Sequence, residues 1–188
     1  MSLLDQVETG IKVPALKINV SGTNGIGKTT FASKSPKPIF IKTEEGTNFV
    51  NTSSLPLCTS YDDIVKQIQA LYEDEHQYKT VVFDTTDWAE KLIHEKVCKN
   101  HSVNSIESIG FGKGYTEAAE LFRRLLKMFD LLHKKKMHVI LLSHVAIRTF
   151  NDPEREAYDR WELSLHKKIS NMIKEWVDFN LFANYEVS

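Results

Sequence analysis

The chain has 188 residues, a hydrophobic content of 41% and a charged content of 26%, which are typical of one globular domain. Its formal net charge is −1, so bulk charge excludes a general polyanion-binding protein, and any contact with nucleic acid must come from a local basic surface. No apolar run is long enough to span a membrane, no signal peptide opens the chain, and the two cysteines lack a metal-binding spacing. We expect a cytoplasmic protein with a single domain over residues 1–188. Met1 to Leu3 are interpreted as a cloning-derived addition, and a truncation after Ser188 is left open.

The most informative pattern is G-x-x-x-x-G-K-T, which runs from Gly22 to Thr29. A strand-like segment, Ala15 to Val20, precedes it and a helix-like segment, Thr29 to Lys34, follows, as a phosphate-binding loop requires. Glycines let the backbone curl until several N–H groups point at one phosphate, and the helix start adds partial positive charge. In this motif Lys28 reaches the β- and γ-phosphates and the Thr29 hydroxyl binds Mg²⁺. We therefore predict ATP and Mg²⁺ as ligands, with nucleotide contacts from Gly22, Thr23, Asn24, Gly25, Ile26, Gly27, Lys28, Thr29 and Thr30.

Apolar and amphipathic segments alternate along the rest of the chain. Strands are predicted at Ile39 to Ile41, Lys79 to Asp84, Val139 to Leu142 and Asn180 to Glu186. Helices are predicted at Tyr61 to Glu73, Trp88 to Lys99, Glu117 to Lys135 and Leu165 to Trp176, with a loop from His101 to Gly114 and a polar segment from Arg148 to Glu162 that Pro153 interrupts. This alternation predicts an α/β fold with three layers, in which helices cover both faces of a mostly parallel sheet.

Ligands of such sheets bind beyond the carboxyl ends of the strands, so the polar residues that end strands are expected to converge at one edge. Asp84 ends a strand where a carboxylate holds Mg²⁺, although a helix cap is the alternative and Asp87 would make the better cap. Glu44 or Glu45 is the candidate that orients the attacking water, with an acidic surface loop as the alternative. His144 is expected to respond to the γ-phosphate, or else to contact only solvent. The predicted catalytic residues are Lys28, Glu44, Asp84 and His144, and the predicted metal-binding residues are Thr29 and Asp84.

Four segments resemble, in order and spacing, the ATPase core of the RecA family: Ser21 to Thr30, Ile39 to Glu45, Val81 to Asp84 and Val139 to His144. The tail from Pro153 to Tyr185 and the stretch from Gly110 to Tyr115 resemble the short phage-encoded RecA-like ATPases linked to single-strand annealing. The resemblance implies a RecA-like P-loop core in which Glu44 positions water and His144, where RecA has Gln, senses the γ-phosphate. It also implies ATP-modulated binding of single-stranded DNA in recombination or annealing. A homo-oligomer on DNA, a single-strand-binding protein as partner and the host cytoplasm as location follow from the same resemblance.

Basic residues outnumber acidic ones between Leu132 and Lys168. Such a segment can follow a phosphate backbone with aromatic side chains as stacking partners, or reach the nucleotide of a neighbouring subunit. A solvated loop is the alternative. The candidate contacts to DNA or to a neighbouring subunit are Lys113, Arg148, Arg155, Arg160, Lys167 and Lys168.

Three other classes of protein use the same phosphate loop. A nucleotide or nucleoside kinase needs an acceptor pocket and an arginine-rich lid, whereas Glu44 as a water-positioning residue favours hydrolysis. A helicase loader of the AAA+ type requires a helical lid after the fifth strand, which we do not expect because the chain stops at Ser188. A nucleotide-dependent switch that binds a replication partner without turnover is the third alternative.

Overall fold

Strands and helices alternate along the chain in the computed structural model, which describes residues 14–45 and 50–186. The strands described are β1 (Lys17–Gly22), β2 (Pro38–Lys42), β3 (Ser53–Ser54), β4 (Thr80–Asp84), β5 (His138–Phe150), β6 (Tyr158–Leu163) and β7 (Phe179–Ala183). The α-helices described are α1 (Lys28–Ser33), α2 (Tyr61–Glu73), α3 (Thr86–His101), α4 (Lys113–Lys134) and α5 (Lys167–Trp176). This arrangement confirms the predicted α/β fold of a P-loop NTPase core.

The strand order across the sheet is β3-β2-β4-β5-β1-β7, and neighbouring strands in this order are parallel. β1 lies between β5 and β7, with Gly22 opposite His144 on one side and Ala183 on the other. In the β2–β4 pair, Lys42 lies opposite Asp84. Because these strands run in the same direction and in this register, their polar carboxyl ends meet at one edge of the sheet.

The two faces of the sheet are covered unequally. Alternate strand residues such as Ile41 and Phe83 pack against α2, α3, α4 and α5, whereas Phe40 and Val82 belong to a smaller cluster that includes Ala32 of α1. Phe129 of α4 anchors the larger face, with its ring 5.3 Å from that of Phe83. Burial of one such side chain stabilises the fold by about 1.5–3 kcal/mol. Helices therefore cover both faces as predicted, but four of the five described helices lie on one of them.

The polar segment from Arg148 to Glu162 contains strands that the sequence analysis does not predict. β5 continues to Phe150 and pairs with β6 in an antiparallel hairpin, from Val145 opposite Leu163 to Phe150 opposite Tyr158. Both strands contain aromatic or β-branched residues together with charged ones, a composition that suits a largely exposed strand pair. Pro153 lies in the turn of this hairpin, so it interrupts no strand pairing.

Other boundaries differ by a few residues. α4 begins at Lys113 instead of Glu117, β7 ends at Ala183 instead of Glu186, and the predicted loop after α3 contains short 3₁₀ turns at Ile106–Ser108 and Gly110–Gly112. Within residues 14–45 and 50–186, no helix has the length and apolar character needed to cross a bilayer. The interpretations of Met1 to Leu3 and of Ser188 lie outside the described residues.

Candidate active site

The loop between β1 and α1 has the backbone conformation that its glycines permit. Gly25 and Gly27 adopt φ angles of 76° and 99°, in the left-handed region that other residues rarely enter. A Cβ atom at either position would meet no atom within 4 Å, so backbone conformation and not crowding requires glycine here. Successive residues in such a conformation direct backbone N–H groups inward and form a concave anion-binding site.

Lys28 lies inside this loop. Its side chain is buried, and Nζ donates hydrogen bonds to the carbonyl oxygens of Gly22 at 3.0 Å and Thr23 at 2.9 Å. Burial lowers the pKa of Lys28, while the carboxylates of Asp84, Asp87 and Glu44 act in the opposite direction. The ammonium group is therefore held by weak neutral acceptors, and a phosphate oxygen is a stronger acceptor for the same donor.

Thr29 and Asp84 form a hydroxyl–carboxylate pair at the carboxyl end of β4. Thr29 Oγ1 donates to Asp84 Oδ2 at 3.1 Å, and Asp84 is buried. The pKa of Asp84 is raised to about 6: burial is the largest cause and the Glu44 carboxylate adds to the rise, whereas the Thr29 hydrogen bond acts against it. A hydroxyl and a buried carboxylate are hard oxygen donors of the kind that Mg²⁺ prefers, so this pair fits the predicted metal-binding set.

Hydrogen bonds between the ends of β2 and β4 position Glu44. The Thr43 backbone N–H donates to Asp84 O at 2.7 Å, and the Thr43 hydroxyl donates to Thr85 O at 2.7 Å and accepts from the Thr85 N–H at 2.9 Å. The next side chain, Glu44, is half-buried and faces inward, whereas Glu45 is exposed. Burial raises the pKa of Glu44, and His144 and Lys28 oppose this shift.

His144 lies between two carboxylates. Its Nε2 is 3.8 Å from Glu44 Oε1, and its Nδ1 is 2.9 Å from Asp87 Oδ2. Asp87 Oδ1 also accepts a hydrogen bond from the His144 backbone N–H at 3.1 Å. These contacts hold the imidazole with Nε2 directed towards Glu44.

Asp87 was predicted only as a possible helix cap, and the structure gives it another contact. The N-cap residue of α3 is Thr85, and Asp87 lies in the first turn of the helix, facing β5. Burial would raise the pKa of Asp87, but the hydrogen bonds and charge of His144 more than offset this, so the net shift is downward. The sequence indicates this role for Asp87 only through its position, which is the first turn of a helix that starts at the polar edge of the sheet.

A cavity of about 330 Å³ brings these groups together. Its lining includes Lys28, Glu44, Asp84 and His144, the four residues predicted to be catalytic, together with Asn24, Gly25, Gly27, Thr29, Thr30, Glu45 and Val50. Gly22 and Thr23 contribute the carbonyl groups that hold Lys28, and Ile26 lines a different pocket on the other side of the loop. The geometry thus combines a cation, a hydroxyl–carboxylate pair and a second carboxylate around one anion-binding loop.

The basic residues predicted to contact DNA or a neighbouring subunit lie outside this cavity. Lys113 begins α4, Lys167 and Lys168 begin α5, and Arg148, Arg155 and Arg160 belong to the β5–β6 hairpin. Lys168 Nζ contacts Thr116 Oγ1 at 2.7 Å, which joins the starts of α5 and α4. Arg148 Nη2 contacts Leu165 O at 3.0 Å, which joins the hairpin to the start of α5.

Two comparisons place the chain among known proteins. The family described as "AAA domain" matches residues 15–188. The SPbeta prophage-derived uncharacterized protein YorG of Bacillus subtilis (strain 168) is 24% identical over 135 residues, which cover 69% of this chain and 41% of that relative. The chain therefore spans about two fifths of the length of the curated relative it matches.

Nucleotide binding is the property that the family and the loop geometry share. The match extends over almost the whole chain, from the start of β1 onward. We conclude that the chain belongs to the AAA domain family.

Proposed function

We propose that this protein binds ATP with Mg²⁺ and hydrolyses it to ADP and phosphate. The observation that supports this most directly is the convergence of Lys28, the Thr29–Asp84 pair and Glu44 on one cavity. Each group matches a separate requirement of phosphoryl transfer: anion binding, metal binding and orientation of the nucleophile.

Binding begins at the phosphate loop. Its N–H groups and Lys28 contact the β- and γ-phosphates, and Lys28 exchanges the carbonyl oxygens of Gly22 and Thr23 for phosphate oxygens. Thr29 and Asp84 would hold Mg²⁺, which would neutralise charge on the phosphate oxygens. Because a cation favours the ionised form of a carboxylate, Mg²⁺ would oppose the effect of burial, which is the main cause of the raised pKa of Asp84.

Glu44 orients a water molecule towards the γ-phosphate and accepts its proton. Its raised pKa brings the carboxylate closer to neutral pH, where a general base is most effective. Asp87 fixes the His144 ring, so Nε2 lies beside Glu44 where it responds to the nearby phosphate. Glu45 is exposed, and it is Glu44 whose carboxylate lies beside His144 Nε2, which favours Glu44 as the base.

The experiment compares ATP binding by calorimetry with steady-state release of phosphate. We expect Lys28→Ala to abolish binding, because the loop loses the cation that contacts the phosphates. We expect Glu44→Gln to retain binding and to lower turnover by about 10²-fold or more. Glu45→Gln is the matched control and should keep both activities.

Product analysis distinguishes the competing classes. A kinase transfers the phosphate to an acceptor, so a phosphorylated acceptor in place of free phosphate would contradict hydrolysis. Tight ATP binding without turnover in the unmodified protein would instead support a nucleotide-dependent switch. Unchanged ATP affinity in Lys28→Ala would contradict the whole proposal.

We also propose that the protein is a RecA-like ATPase of the phage single-strand-annealing group, acting on single-stranded DNA in the host cytoplasm. The sequence resemblance and the prophage origin of the relative support the group. The β5–β6 hairpin supports the ligand, because it starts just after His144 and exposes aromatic and basic side chains. Arg160 lies over the ring of Phe150 at 3.8 Å, and Trp161 is exposed, so bases and phosphates would find stacking and cationic partners together.

ATP turnover with and without single-stranded DNA, measured alongside the size of the protein in each state, tests this second proposal. DNA-stimulated turnover with assembly is the expected result for a homo-oligomer on DNA. An added single-strand-binding protein tests the predicted partner by a further change in the rate. Equal turnover and equal size in all conditions would contradict the DNA proposal and leave the ATPase proposal intact.

A further inference from the structure

Thr85 follows Asp84 at the end of β4 and is the N-cap residue of α3. It is only 1% exposed. A threonine at this position usually accepts a hydrogen bond from a backbone N–H in the first turn of the helix, but the Thr85 hydroxyl makes no such bond. Within residues 14–45 and 50–186, Thr85 Oγ1 has no hydrogen-bond partner. The hydroxyl is therefore buried without the structural role that its position offers.

A buried hydroxyl of this kind does not stabilise the fold. Its removal from water is unfavourable because no hydrogen bond within the protein compensates for the bonds to water that it loses. A valine side chain has nearly the same shape as threonine and carries no such penalty. Folding alone therefore does not favour threonine at this position, and departures from local rules of this kind are expected at functional sites.

The backbone of Thr85 is fixed beside the residue that precedes Glu44. The Thr43 hydroxyl donates to Thr85 O at 2.7 Å and accepts from the Thr85 N–H at 2.9 Å, and the Thr43 N–H donates to Asp84 O at 2.7 Å. These three hydrogen bonds hold the ends of β2 and β4 together. The Thr85 hydroxyl thereby lies near the Glu44 carboxylate, where it opposes the rise in the pKa of Glu44 that burial, the largest cause, produces.

Glu44 needs a second point of attachment to act as a general base. Its Oε1 is 3.8 Å from His144 Nε2, which is longer than a hydrogen bond. The last torsion angle of a glutamate side chain is broad, so a carboxylate with one loose contact samples many orientations. A general base has to present one oxygen to the water at about 2.6–3.2 Å. A hydrogen-bond donor to the other oxygen would restrict the carboxylate to that orientation.

We propose that Thr85 is a positioning residue for Glu44: with ATP bound, its hydroxyl donates to one oxygen of the Glu44 carboxylate and directs the other oxygen to the attacking water. This inference rests on the proposed hydrolysis and adds a residue to it. Hydrogen bonds of catalytic groups are often long or misaligned before the substrate binds and shorten in the complex, which accounts for a hydroxyl that lies near Glu44 without a complete hydrogen bond. Thr85 does not line the catalytic cavity that the described residues form, so it acts through Glu44 and not on the nucleotide.

The test compares Thr85→Val, which removes the hydroxyl, with Thr85→Ser, which retains it. In Thr85→Val we expect kcat for ATP hydrolysis to fall about 10-fold, while the calorimetric affinity for ATP with Mg²⁺ stays within about 2-fold. Thr85→Ser should keep kcat within about 2-fold of that of the unmodified protein. Thr80→Val is the matched control, because Thr80 is a buried threonine at the other end of β4 whose hydroxyl donates to Pro36 O at 2.9 Å. This control should lose stability in urea unfolding and keep its kcat.

A double variant shows through which residue Thr85 acts. Added to Glu44→Gln, Thr85→Val should lower turnover no further, whereas an additive loss would overturn the assignment to Glu44. Unchanged kcat in Thr85→Val, or an equal loss of kcat in Thr85→Ser or Thr80→Val, would also overturn it. If Thr85→Val does not fold, Thr85→Ala takes its place, since it too lacks the hydroxyl. If the unmodified protein releases no phosphate from ATP, the proposed function itself fails, whereas each of the other results leaves hydrolysis intact.

Discussion

Asp87 holds His144 at two points, through the backbone N–H at 3.1 Å and through Nδ1 at 2.9 Å. The two residues are 57 positions apart in the chain and come from α3 and β5. The carboxylate thereby fixes both the position of the strand and the orientation of the ring. The other nitrogen of the ring is left to face Glu44, 3.8 Å away.

We predict that Asp87→Asn lowers ATP turnover by about 10-fold while ATP affinity stays within about 2-fold of the original. The amide retains the shape of the carboxylate but loses the charge that holds the ring. Steady-state turnover and calorimetry measure the two effects separately. Asp74→Asn, at an exposed position after α2, is the control.

A double variant decides whether Asp87 acts through His144. If it does, Asp87→Asn combined with His144→Ala turns over no more slowly than His144→Ala alone. Additive losses would mean that Asp87 has a separate role and would contradict the positioning assignment.

Gly22→Ala should lower the free energy of unfolding by about 1–3 kcal/mol, because the added methyl group has no space between β7 and the loop. The relevant contacts are backbone and branched carbon atoms, at 2.8 Å from Ala183 O and 2.9 Å from Ile26 Cγ2. Urea unfolding measures the change. Gly110→Ala is the matched control, since a Cβ atom there meets nothing within 4 Å and its φ angle is not in the left-handed region. Equal effects of the two substitutions would contradict the prediction.

Glu90 should make the protein less stable as the pH rises. It is buried in α3, and its pKa is raised to about 7; burial is the largest cause and Asp87 adds to the rise, whereas the His166 N–H and Arg148 act against it. The unfolded chain has a value of about 4.3, so the folded state binds the proton more tightly. The stability that the neutral carboxyl contributes is therefore complete below about pH 4.3 and is lost as the pH rises through about 7.

Unfolding titrations between pH 5 and pH 8 test this dependence. We expect the free energy of unfolding to fall by about 1–3 kcal/mol over that range, and the fall to be smaller in Glu90→Gln. Glu95→Gln changes an exposed residue of the same helix and should leave the slope as it is. Parallel curves for the original protein and Glu90→Gln would show that Glu90 does not titrate in this window.

Lys167→Ala combined with Lys168→Ala should flatten the salt dependence of single-stranded DNA binding by up to about two units of slope, because each phosphate contact contributes roughly one. Fluorescence anisotropy at a series of salt concentrations gives the slope. Lys79→Ala combined with Lys134→Ala removes two exposed lysines near the opposite edge of the sheet and serves as the control. An unchanged slope in the first variant would remove Lys167 and Lys168 from the DNA path.

The local sequence determined the phosphate loop and most of the secondary structure. Gly25 and Gly27 permit a conformation that depends only on neighbouring residues, and the apolar runs of β2 and β4 predict buried parallel strands without further information. Chain order and parallel strands also predicted that Glu44, Asp84 and His144 would meet at one edge. The hairpin was missed because its charged residues resemble a solvated loop in sequence, and strand pairing with β5 overrides that local preference.

Only the tertiary structure decided which groups touch. The hydrogen bonds of Thr43 to Thr85 determine that Glu44, and not Glu45, faces the cavity. The contact of Asp87 with His144 depends on how α3 packs against β5. The close packing of Gly22 against Ala183 depends on the β1–β7 register, which joins segments about 160 residues apart. Short-range patterns fix backbone conformation, whereas contacts between distant residues follow from strand register and helix packing, which no single segment of the sequence contains.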